Sequence, residues 1–410
     1  MSQPSVASSV KQPKWQYSLS PSFLVNWAAI SDDASRVVAD TYYFPYPGTP
    51  TPPGTNTHGT FGTFCYDSTG KLLWSDKFEG DEGIFSVAIS GDGRIAAAGG
   101  LFSGGAYGDR PDSGVLRAYD AGDGRCLLDY TLIRRRVNSM ALSADGAVLA
   151  AVSANKLYVF AQNSKGKFPV DPAIPVGGGQ FLDCVAVHPG GQWLAACDRG
   201  GFVYLITVAN GTVQQTYSWR APVSIPLLSV AISKASESFV VGGGNIVYVF
   251  TKDSMIKGTG PIAQYTPPET PPGVGNQQPS AKQQNVRWVA ISDDGAFVTA
   301  VENQTQTAGL LRALSLSRGQ LSLAPAWATN PIPLNHNPNS TSMDLAARYV
   351  TVSDGNPVGT PGTFYLFDAK NGNKLWEFVT TNMNWPMFIS ADGSAITAGS
   401  DNGNLYYFEP

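Results

Sequence analysis

The side chains that could carry chemistry are few and scattered along the chain. The three histidines, His58, His188 and His336, lie far apart in predicted turns or loops, so they lack the spacing of metal ligands. None of the short motifs of metalloproteases, serine hydrolases or phosphate-binding loops is present. We therefore predict no metal, no cofactor and no assigned catalytic residue, and the sequence favours a non-catalytic protein.

Acidic residues are frequent enough for an acid–base pair, but most of them fall in repeated turns. The exceptions are Asp109, Asp112, Asp183 and Glu302. If two such carboxylates converged in a funnel, the protein could be a hydrolase or lyase acting on a carbohydrate or lactone. This alternative stays open, because a sequence does not show which side chains meet.

The strongest candidates for binding an anion are the consecutive residues Arg134, Arg135 and Arg136. They precede a predicted inner strand, where at least one guanidinium should face a channel mouth. Guanidinium groups bind carboxylates and phosphates through paired hydrogen bonds. The alternative is that these arginines pair with the acidic stretch at positions 79–82.

Aromatic residues form a second set of binding candidates. Five lie at or just before predicted inner strands and could form a collar that stacks a sugar ring or clamps a peptide: Trp27, Phe85, Phe181, Trp288 and Trp385. Three more, Tyr42, Tyr43 and Tyr46, lie in a Pro- and Gly-rich connection at positions 41–60. The alternative for the collar residues is packing between neighbouring units.

The elements that position these residues come from a repeat. A short apolar strand followed by a Ser/Asp/Gly turn occurs eight times, starting at Trp27, Ser86, Ser139, Cys184, Ser229, Trp288, a degenerate Ser342 and Pro386. Asp can bond nearby backbone and Gly can adopt positive φ, so each copy predicts a hairpin. In the fourth copy, His188 replaces the turn serine, which indicates a turn role for it.

Each copy continues into an aromatic strand and, in several units, a fourth strand after a Gly turn, as at positions 70–74 and 372–376. Four meandering strands per unit, with a period of about 50 residues, are typical of a propeller blade. The prediction is an all-β, eight-bladed β-propeller of four-stranded antiparallel blades.

The last copy ends without a fourth strand, whereas Trp15 begins a fourth strand that has no earlier partners. We therefore predict that residues 14–19 complete the last blade and close the ring, which leaves no open sheet edge at the seam. The predicted organisation is a flexible segment at 1–13 and a single propeller domain at 14–410, and we expect a monomer.

The stretches 67–74 and 368–376, which end in Trp74 and Trp376, resemble the tryptophan-docking repeat of quinoprotein dehydrogenases and their non-catalytic relatives. This PQQ-like resemblance implies an eight-bladed propeller in which Trp74, Trp376 and Trp15 are structural. The adjacent cysteines of the enzymes are missing, so no catalytic residue carries over; a degenerate quinoprotein is a third alternative. A WD40-like propeller is the second choice of family.

Composition restricts the partners. With a net charge of -4, the chain lacks the cationic footprint of a nucleic-acid-binding protein. It contains no apolar run long enough to span a membrane and no signal peptide. These features favour the cytoplasm, or an exported or periplasmic protein if a leader has been removed.

The four cysteines form no C-x-x-C pair. Cys184 and Cys197 are predicted to lie opposite each other on adjacent strands, so they could form a disulfide or remain two buried thiols.

The first and third connections of each blade are short, so the long connections should collect on the opposite face of the ring. Besides 41–60, these include 101–113, 252–285 and 329–340. Long loops grouped on one face usually carry binding. The sequence therefore predicts a binding or scaffold propeller that recognises a protein, a peptide or a small ligand on its loop-rich face.

Overall fold

The computed structural model describes residues 9–19, 24–43, 59–80, 82–101, 114–169, 171–177, 179–222, 225–266, 285–303, 308–317, 323–356 and 360–410. The described chain forms eight sheets, each built around four antiparallel strands, and two of these sheets include a fifth strand. We name the strands a to d from the channel outward. The first strands of neighbouring blades contact one another around a closed ring, so strand a lines the central channel.

The strands of blades 1 to 4 follow in chain order. Blade 1 contains Ala28–Ile30, Arg36–Asp40, Gly59–Asp67 and Leu72–Gly80; blade 2 contains Gly83–Ile89, Ile95–Leu101, Gly114–Asp120 and Cys126–Ile133. Blade 3 contains Val137–Leu142, Val148–Ser153, Lys156–Ala161 and Ala173–Val176; blade 4 contains Leu182–Val187, Trp193–Asp198, Phe202–Ala209 and Thr212–Arg220.

Blades 5 and 6 have short outer strands. Blade 5 contains Leu227–Ile232, Ser238–Gly243, Ile246–Thr251, the helix Lys252–Ile256 and Ala263–Tyr265. Blade 6 contains Asn285–Ile291, Phe297–Asn303, Gly309–Leu316 and Leu323–Pro325, and Ile332–Leu334 also pairs with its third strand. The stretches 252–285 and 329–340, predicted as connections, therefore include regular structure.

Blade 7 contains Pro338–Met343, Tyr349–Asp354, Gly362–Asp368 and Lys374–Thr380; blade 8 contains Asn384–Ile389, Ile396–Ser400, Asn404–Phe408 and Trp15–Ser18. Trp15–Ser18 pairs with Asn404–Phe408, which confirms the predicted ring closure. Ser9–Val10, within the segment predicted to be flexible, pairs in parallel with the outer strand of blade 7. None of the helices among the described residues is long and apolar enough to cross a membrane.

The turn serine of the repeat holds the hairpin between strands a and b. Ser143, fully buried, donates from Oγ to Asp145 at 2.6 Å and accepts the Val148 backbone N–H at 2.9 Å. The same bonds recur at the turns that begin with Ser90, Ser292 and Ser390. In blade 4, the Nδ1 atom of His188 accepts the Gly190 N–H at 3.2 Å, so the histidine also bonds the turn backbone, but at a different N–H from the one that the serine hydroxyl accepts.

The first serine of the repeat joins neighbouring blades. Ser229 Oγ accepts the Val289 N–H at 3.2 Å, and Ser340 Oγ accepts the Met387 N–H at 2.9 Å. These bonds pair N–H groups on the inner edge of the next strand a, which would otherwise lack a partner in the sheet. The degenerate copy in blade 7 therefore starts at Ser340, two residues before the Ser342 proposed from the sequence. In this copy, Asp344 takes the turn position and accepts the Tyr349 N–H at 2.8 Å.

Tryptophans at the outer strands pack on the next blade. Trp74 covers the turn glycine Gly124, whose φ of +76° and close ring contact exclude a side chain, and its indole N–H donates to the Ala121 carbonyl at 2.9 Å. The other tryptophans packed in this way on a turn glycine are Trp15 on Gly70, Trp219 on Gly260 and Trp327 on Gly372. The sequence did not single out Trp219 and Trp327.

Trp376 differs from these tryptophans. It is buried and packs on Phe408, with ring centroids 5.2 Å apart, but its indole nitrogen has no hydrogen-bond partner among the described residues. In this respect it differs from Trp74 and Trp327, whose indole N–H groups donate to the carbonyls of Ala121 and Ala369.

Candidate functional site

The central channel contains two cavities that lie one above the other. The cavity on the side of the short a–b turns has a volume of about 370 Å³, and the cavity on the loop-rich side has a volume of about 430 Å³. Trp27 and Trp288 line both cavities, and their ring centroids are 5.5 Å apart. Together with Phe388, whose ring lies 5.9 Å from that of Trp27, they form an aromatic partition across the channel. We call the two cavities the lower chamber and the funnel.

The lower chamber is lined by the repeated apolar residues of strand a. These include Val87, Met140, Val185, Val230 and Ile291. The charged residues in its wall are Asp32 of blade 1 and Lys234 of blade 5, which form an ion pair. Since blades 1 and 5 stand opposite each other in a ring of eight, this pair reaches across the end of the channel.

The funnel has a different lining. All five residues of the predicted aromatic collar contribute to its wall: Trp27, Phe85, Phe181, Trp288 and Trp385. Four arginines also line it, namely Arg135, Arg136, Arg199 and Arg287, whereas Asp183 is the acidic residue among the described lining residues. The structure therefore brings the aromatic collar and two residues of the arginine triplet together around one cavity rich in positive charge.

Polar side chains at the end of strand b position the backbone that leads into the funnel. Asp40, fully buried, accepts the backbone N–H of Asn26 at 3.0 Å and that of Trp27 at 2.9 Å. In blade 3, Ser153 Oγ donates to the Arg135 carbonyl at 2.8 Å. Burial raises the pKa of Asp40 well above its ordinary value, although the two N–H donors oppose that shift. These contacts fix where each funnel residue enters the wall.

Arg136 is held on three sides. Its Nη1 donates to Oε1 of Glu82 at 2.8 Å, its Nε donates to Asn138 at 3.2 Å, and its guanidinium carbon lies 3.8 Å from the centre of the Phe85 ring. Glu82 is only 2% exposed, and this burial raises the pKa of its carboxyl despite the adjacent arginine. For Arg136, the structure shows the alternative predicted from the sequence, in which the arginine triplet pairs with the acidic stretch 79–82.

In the neighbouring blade 4, Arg199 forms a two-bond ion pair with Asp183. The Nε–Oδ2 and Nη2–Oδ1 distances are 2.7 and 2.8 Å, so the guanidinium engages both carboxylate oxygens. The same guanidinium lies 4.8 Å from the centre of the Phe181 ring. Burial raises the pKa of Asp183, and Arg199 and Arg287 oppose that shift. Both carboxylate oxygens of Asp183 are therefore already bonded to Arg199.

Arg287 is the exception among the funnel arginines. Its side chain is exposed to the funnel, and it makes no hydrogen bond or ion pair with any described residue. The protein that surrounds it lowers the pKa of its guanidinium by desolvation, and Asp183 opposes that shift while Arg199 adds to it. Sequence reasoning missed Arg287 and Arg199, although each is adjacent to a signal: Arg287 precedes Trp288, and Arg199 follows strand b of blade 4.

Several predicted binding residues lie elsewhere. Tyr42 is 1% exposed and packs edge-on against Phe85, with centroids 5.3 Å apart, so it supports the collar from behind and offers no surface to a ligand. Tyr43 is half-buried and is not part of the funnel lining, and Arg134 is exposed outside it. Tyr46 lies outside the described residues.

The cysteines and the remaining acidic candidates have structural surroundings. Cys184 and Cys197 are register partners on adjacent strands, as expected, and both are buried free thiols whose pKa is raised by burial. Glu302 is buried and hydrogen-bonded by both Nε and Nη2 of Arg312 within blade 6. Asp109 and Asp112 lie outside the described residues. Among the residues that are described, no three His, Cys, Asp or Glu side chains are grouped as metal ligands.

Comparison with known proteins supports the architecture. No protein-family model and no curated protein matches the sequence. Two crystal structures of Sqt1 from Chaetomium thermophilum, a WD40 propeller, are similar in fold, each with 13% sequence identity. One, of Sqt1 bound to the N-terminus of the ribosomal protein L10, aligns with a TM-score of 0.65 over 95% of this chain and 97% of that chain. The other aligns with a TM-score of 0.66 over 97% and 98%.

At this level of identity the likeness establishes the fold alone. The eight-bladed β-propeller is therefore shown, and this fold is compatible with the WD40-like plan that ranked second from the sequence. The comparisons do not support the quinoprotein family, even though tryptophans dock on turn glycines in several blades.

Proposed function

We propose that this protein is a non-catalytic binding propeller that receives a segment of a protein or peptide partner in its funnel. The observation that carries the proposal is the contrast within one channel. The lower chamber is lined by apolar repeat residues, whereas the funnel combines five aromatic side chains with four arginines. Aromatic and arginine side chains are the residues most enriched where proteins bind their partners tightly.

The size of the funnel fits this function. A volume of about 430 Å³ lies within the range of roughly 300–1,000 Å³ that is typical of binding pockets. An α-helix with its side chains is about 10–12 Å across, so the funnel suits one or two inserted side chains better than a whole helix. Sqt1, which shares the fold, has been crystallised with the N-terminus of a protein bound to it. That precedent supports a partner that presents a chain segment.

The hydrolase alternative has no specific observation in its favour. A pair of carboxylates would have to face the same cavity, about 5–10 Å apart. Among the described lining residues, Asp183 is the one carboxylate, and both of its oxygens accept hydrogen bonds from Arg199. We therefore do not propose an enzymatic activity.

The proposal can be tested with a random peptide library displayed on phage and selected on the full-length protein. A photo-crosslinking amino acid in place of Arg135, in the funnel wall, should capture the selected peptides. The matched control carries the same amino acid in place of Arg94, an exposed arginine at an a–b turn. Failure to enrich any peptide, or crosslinking from position 94 instead of position 135, would contradict the proposal.

A further inference from the structure

The funnel has hydrogen-bond donors in excess of acceptors. Its described lining includes four arginines and the single carboxylate of Asp183, while the amides Asn138 and Asn339 carry both donors and an acceptor. Asp183 is already bonded to Arg199, and Glu82, behind the wall, is bonded to Arg136. The side-chain nitrogen of Asn138 is buried and has no partner among the described residues. An incoming group that accepts hydrogen bonds would therefore meet several donors.

Among the funnel arginines, Arg287 makes no hydrogen bond or ion pair with a described residue, so a ligand can bond to it without displacing another group. It lies on strand a of blade 6, where its neighbours Val286 and Val289 are buried between blades. A register shift between Val286 and Trp288 interrupts the regular alternation of the strand here, and Arg287 is exposed to the funnel. Desolvation lowers the pKa of its guanidinium, and the nearby Asp183 opposes that shift. A carboxylate from a ligand would supply the missing partner and oppose the shift further.

The neighbours of Arg287 indicate what should accompany the carboxylate. Trp288 follows it in the same strand, and Trp385 and Phe181 line the same cavity. The Trp288 ring lies 5.5 Å from that of Trp27, which forms the floor of the funnel. Such rings pack well against an apolar or aromatic side chain, whereas a bare inorganic anion would leave them in water.

We propose that the funnel recognises an acidic peptide segment, with one carboxylate bonded to Arg287 and an adjoining apolar side chain packed against Trp288. This inference rests on the proposed function and specifies the chemistry of its partner. A hydrogen bond to a charged group contributes about 1.5–3 kcal/mol, which corresponds to roughly a 10- to 150-fold change in affinity. The two guanidinium bonds that arginine offers to a carboxylate make this residue the main determinant of the preference for acids.

The test uses two displayed libraries of twelve-residue peptides with the same apolar positions. One library allows Asp and Glu at the remaining positions, and the other allows only Asn and Gln there. Selection on the full-length protein should enrich the acidic library at least tenfold over the amide library. If both libraries enrich equally and crosslink at position 135, the proposed function stands and the acidic preference is wrong. If neither enriches, both proposals fail.

Matched variants connect the preference to Arg287. The Arg287→Gln variant should lose the acidic enrichment, whereas Arg134→Gln, which removes the same charge from the same face outside the funnel, should keep it. Arg287→Lys keeps the charge without the planar fork and should give an intermediate enrichment. Melting temperatures of the variants within a few degrees of the wild type would show that they fold.

A competition experiment separates a peptide from a small anion. Acidic peptides bound to the wild type should resist displacement by millimolar inorganic phosphate, because phosphate cannot occupy the aromatic wall. Displacement by phosphate at sub-millimolar concentration, or acidic enrichment that survives Arg287→Gln, would overturn the proposal.

Discussion

The two cavities of the channel are lined by the same eight strands, yet they differ in chemistry. The lower chamber is formed by the repeated Val-Ala-Ile part of each strand a, next to the turns that the repeat specifies. The funnel is formed by residues at the start of that repeat or just before it, where the blades contribute different side chains: Trp27, Phe85, Arg136, Asp183, Leu228, Arg287, Asn339 and Trp385. The repeat thus builds one half of the channel, and the capacity for specific binding lies where the repeat ends.

The largest expected effect comes from removing a tryptophan that docks on a turn between outer strands, compared with removing one that lines the funnel. Trp74, near the short turns, is 8% exposed and donates to Ala121 at 2.9 Å, so Trp74→Ala should lower the free energy of unfolding by about 3–5 kcal/mol. The half-buried Trp385 should cost less than half of that when changed to Ala, but Trp385→Ala should weaken peptide binding. Urea denaturation and a binding titration measure both quantities. A larger loss of stability in Trp385→Ala than in Trp74→Ala would contradict this division between a structural tryptophan and a binding one.

The next effect tests the turns that carry the repeat. Ser143→Ala removes the hydroxyl that bonds Asp145 and the Val148 N–H, so the free energy of unfolding should fall by about 1–3 kcal/mol. Ser164→Ala is the control, because Ser164 is exposed in the c–d turn of the same blade and its loss should change stability by less than about 0.5 kcal/mol. Peptide binding should be unchanged in both variants. Weaker binding by Ser143→Ala would show that the halves are coupled.

A third prediction concerns the buried ion pair behind the funnel wall. Burial raises the pKa of Glu82 above its ordinary value, so the folded state holds this proton more tightly than the unfolded chain does. The contribution of Glu82 to stability is therefore fully present below the unfolded pKa and is lost as the pH rises through the folded pKa. Glu82→Gln removes the titration, so its stability relative to the wild type should increase between pH 4 and pH 7.5. Denaturation curves of both proteins at both pH values measure this difference. If Glu82→Gln became less stable relative to the wild type as the pH rises, the raised pKa of Glu82 would be contradicted.

The smallest effect distinguishes two arginines. Arg287→Gln should change the free energy of unfolding by less than about 0.5 kcal/mol, because Arg287 makes no bond with a described residue. Arg312→Gln provides the contrast, since it would leave the buried carboxylate of Glu302 without its partner, at a cost of about 3–5 kcal/mol. Equal losses in the two variants would show that Arg287 is structural.

The architecture could be predicted because the repeat is local. Each turn can be recognised from Ser, Asp and Gly at fixed spacing. Trp15 begins a strand that matches the outer strand missing from the last copy of the repeat. Short outer strands such as Ala263–Tyr265 were missed because no Gly turn precedes them at the usual spacing. Blade 7 was placed two residues out of register because Asp344 performs the role of serine through its carboxylate.

The funnel was predicted in part. The collar residues were found because each stands just before a recognisable strand, so their place on the rim followed from the topology. Which arginine lacks a partner depends on contacts between residues that are far apart in the sequence. Arg136, before blade 3, meets Glu82, before the neighbouring blade 2, while Arg199 and Asp183 lie in one blade. Tyr42 was expected to face a ligand, but its neighbours Phe85 and Trp385 bury it. The sequence alone does not show which of these side chains lie close together in the folded protein.

Hydrogen–deuterium exchange of the full-length protein, with and without a peptide selected on it, tests the central claim most directly. Binding in the funnel should slow the exchange of backbone amides at 134–138, 181–183 and 285–288, and leave the turns at 143–148 and 390–395 unchanged. Protection concentrated at those turns, with none around Arg287, would contradict the assignment of binding to the funnel.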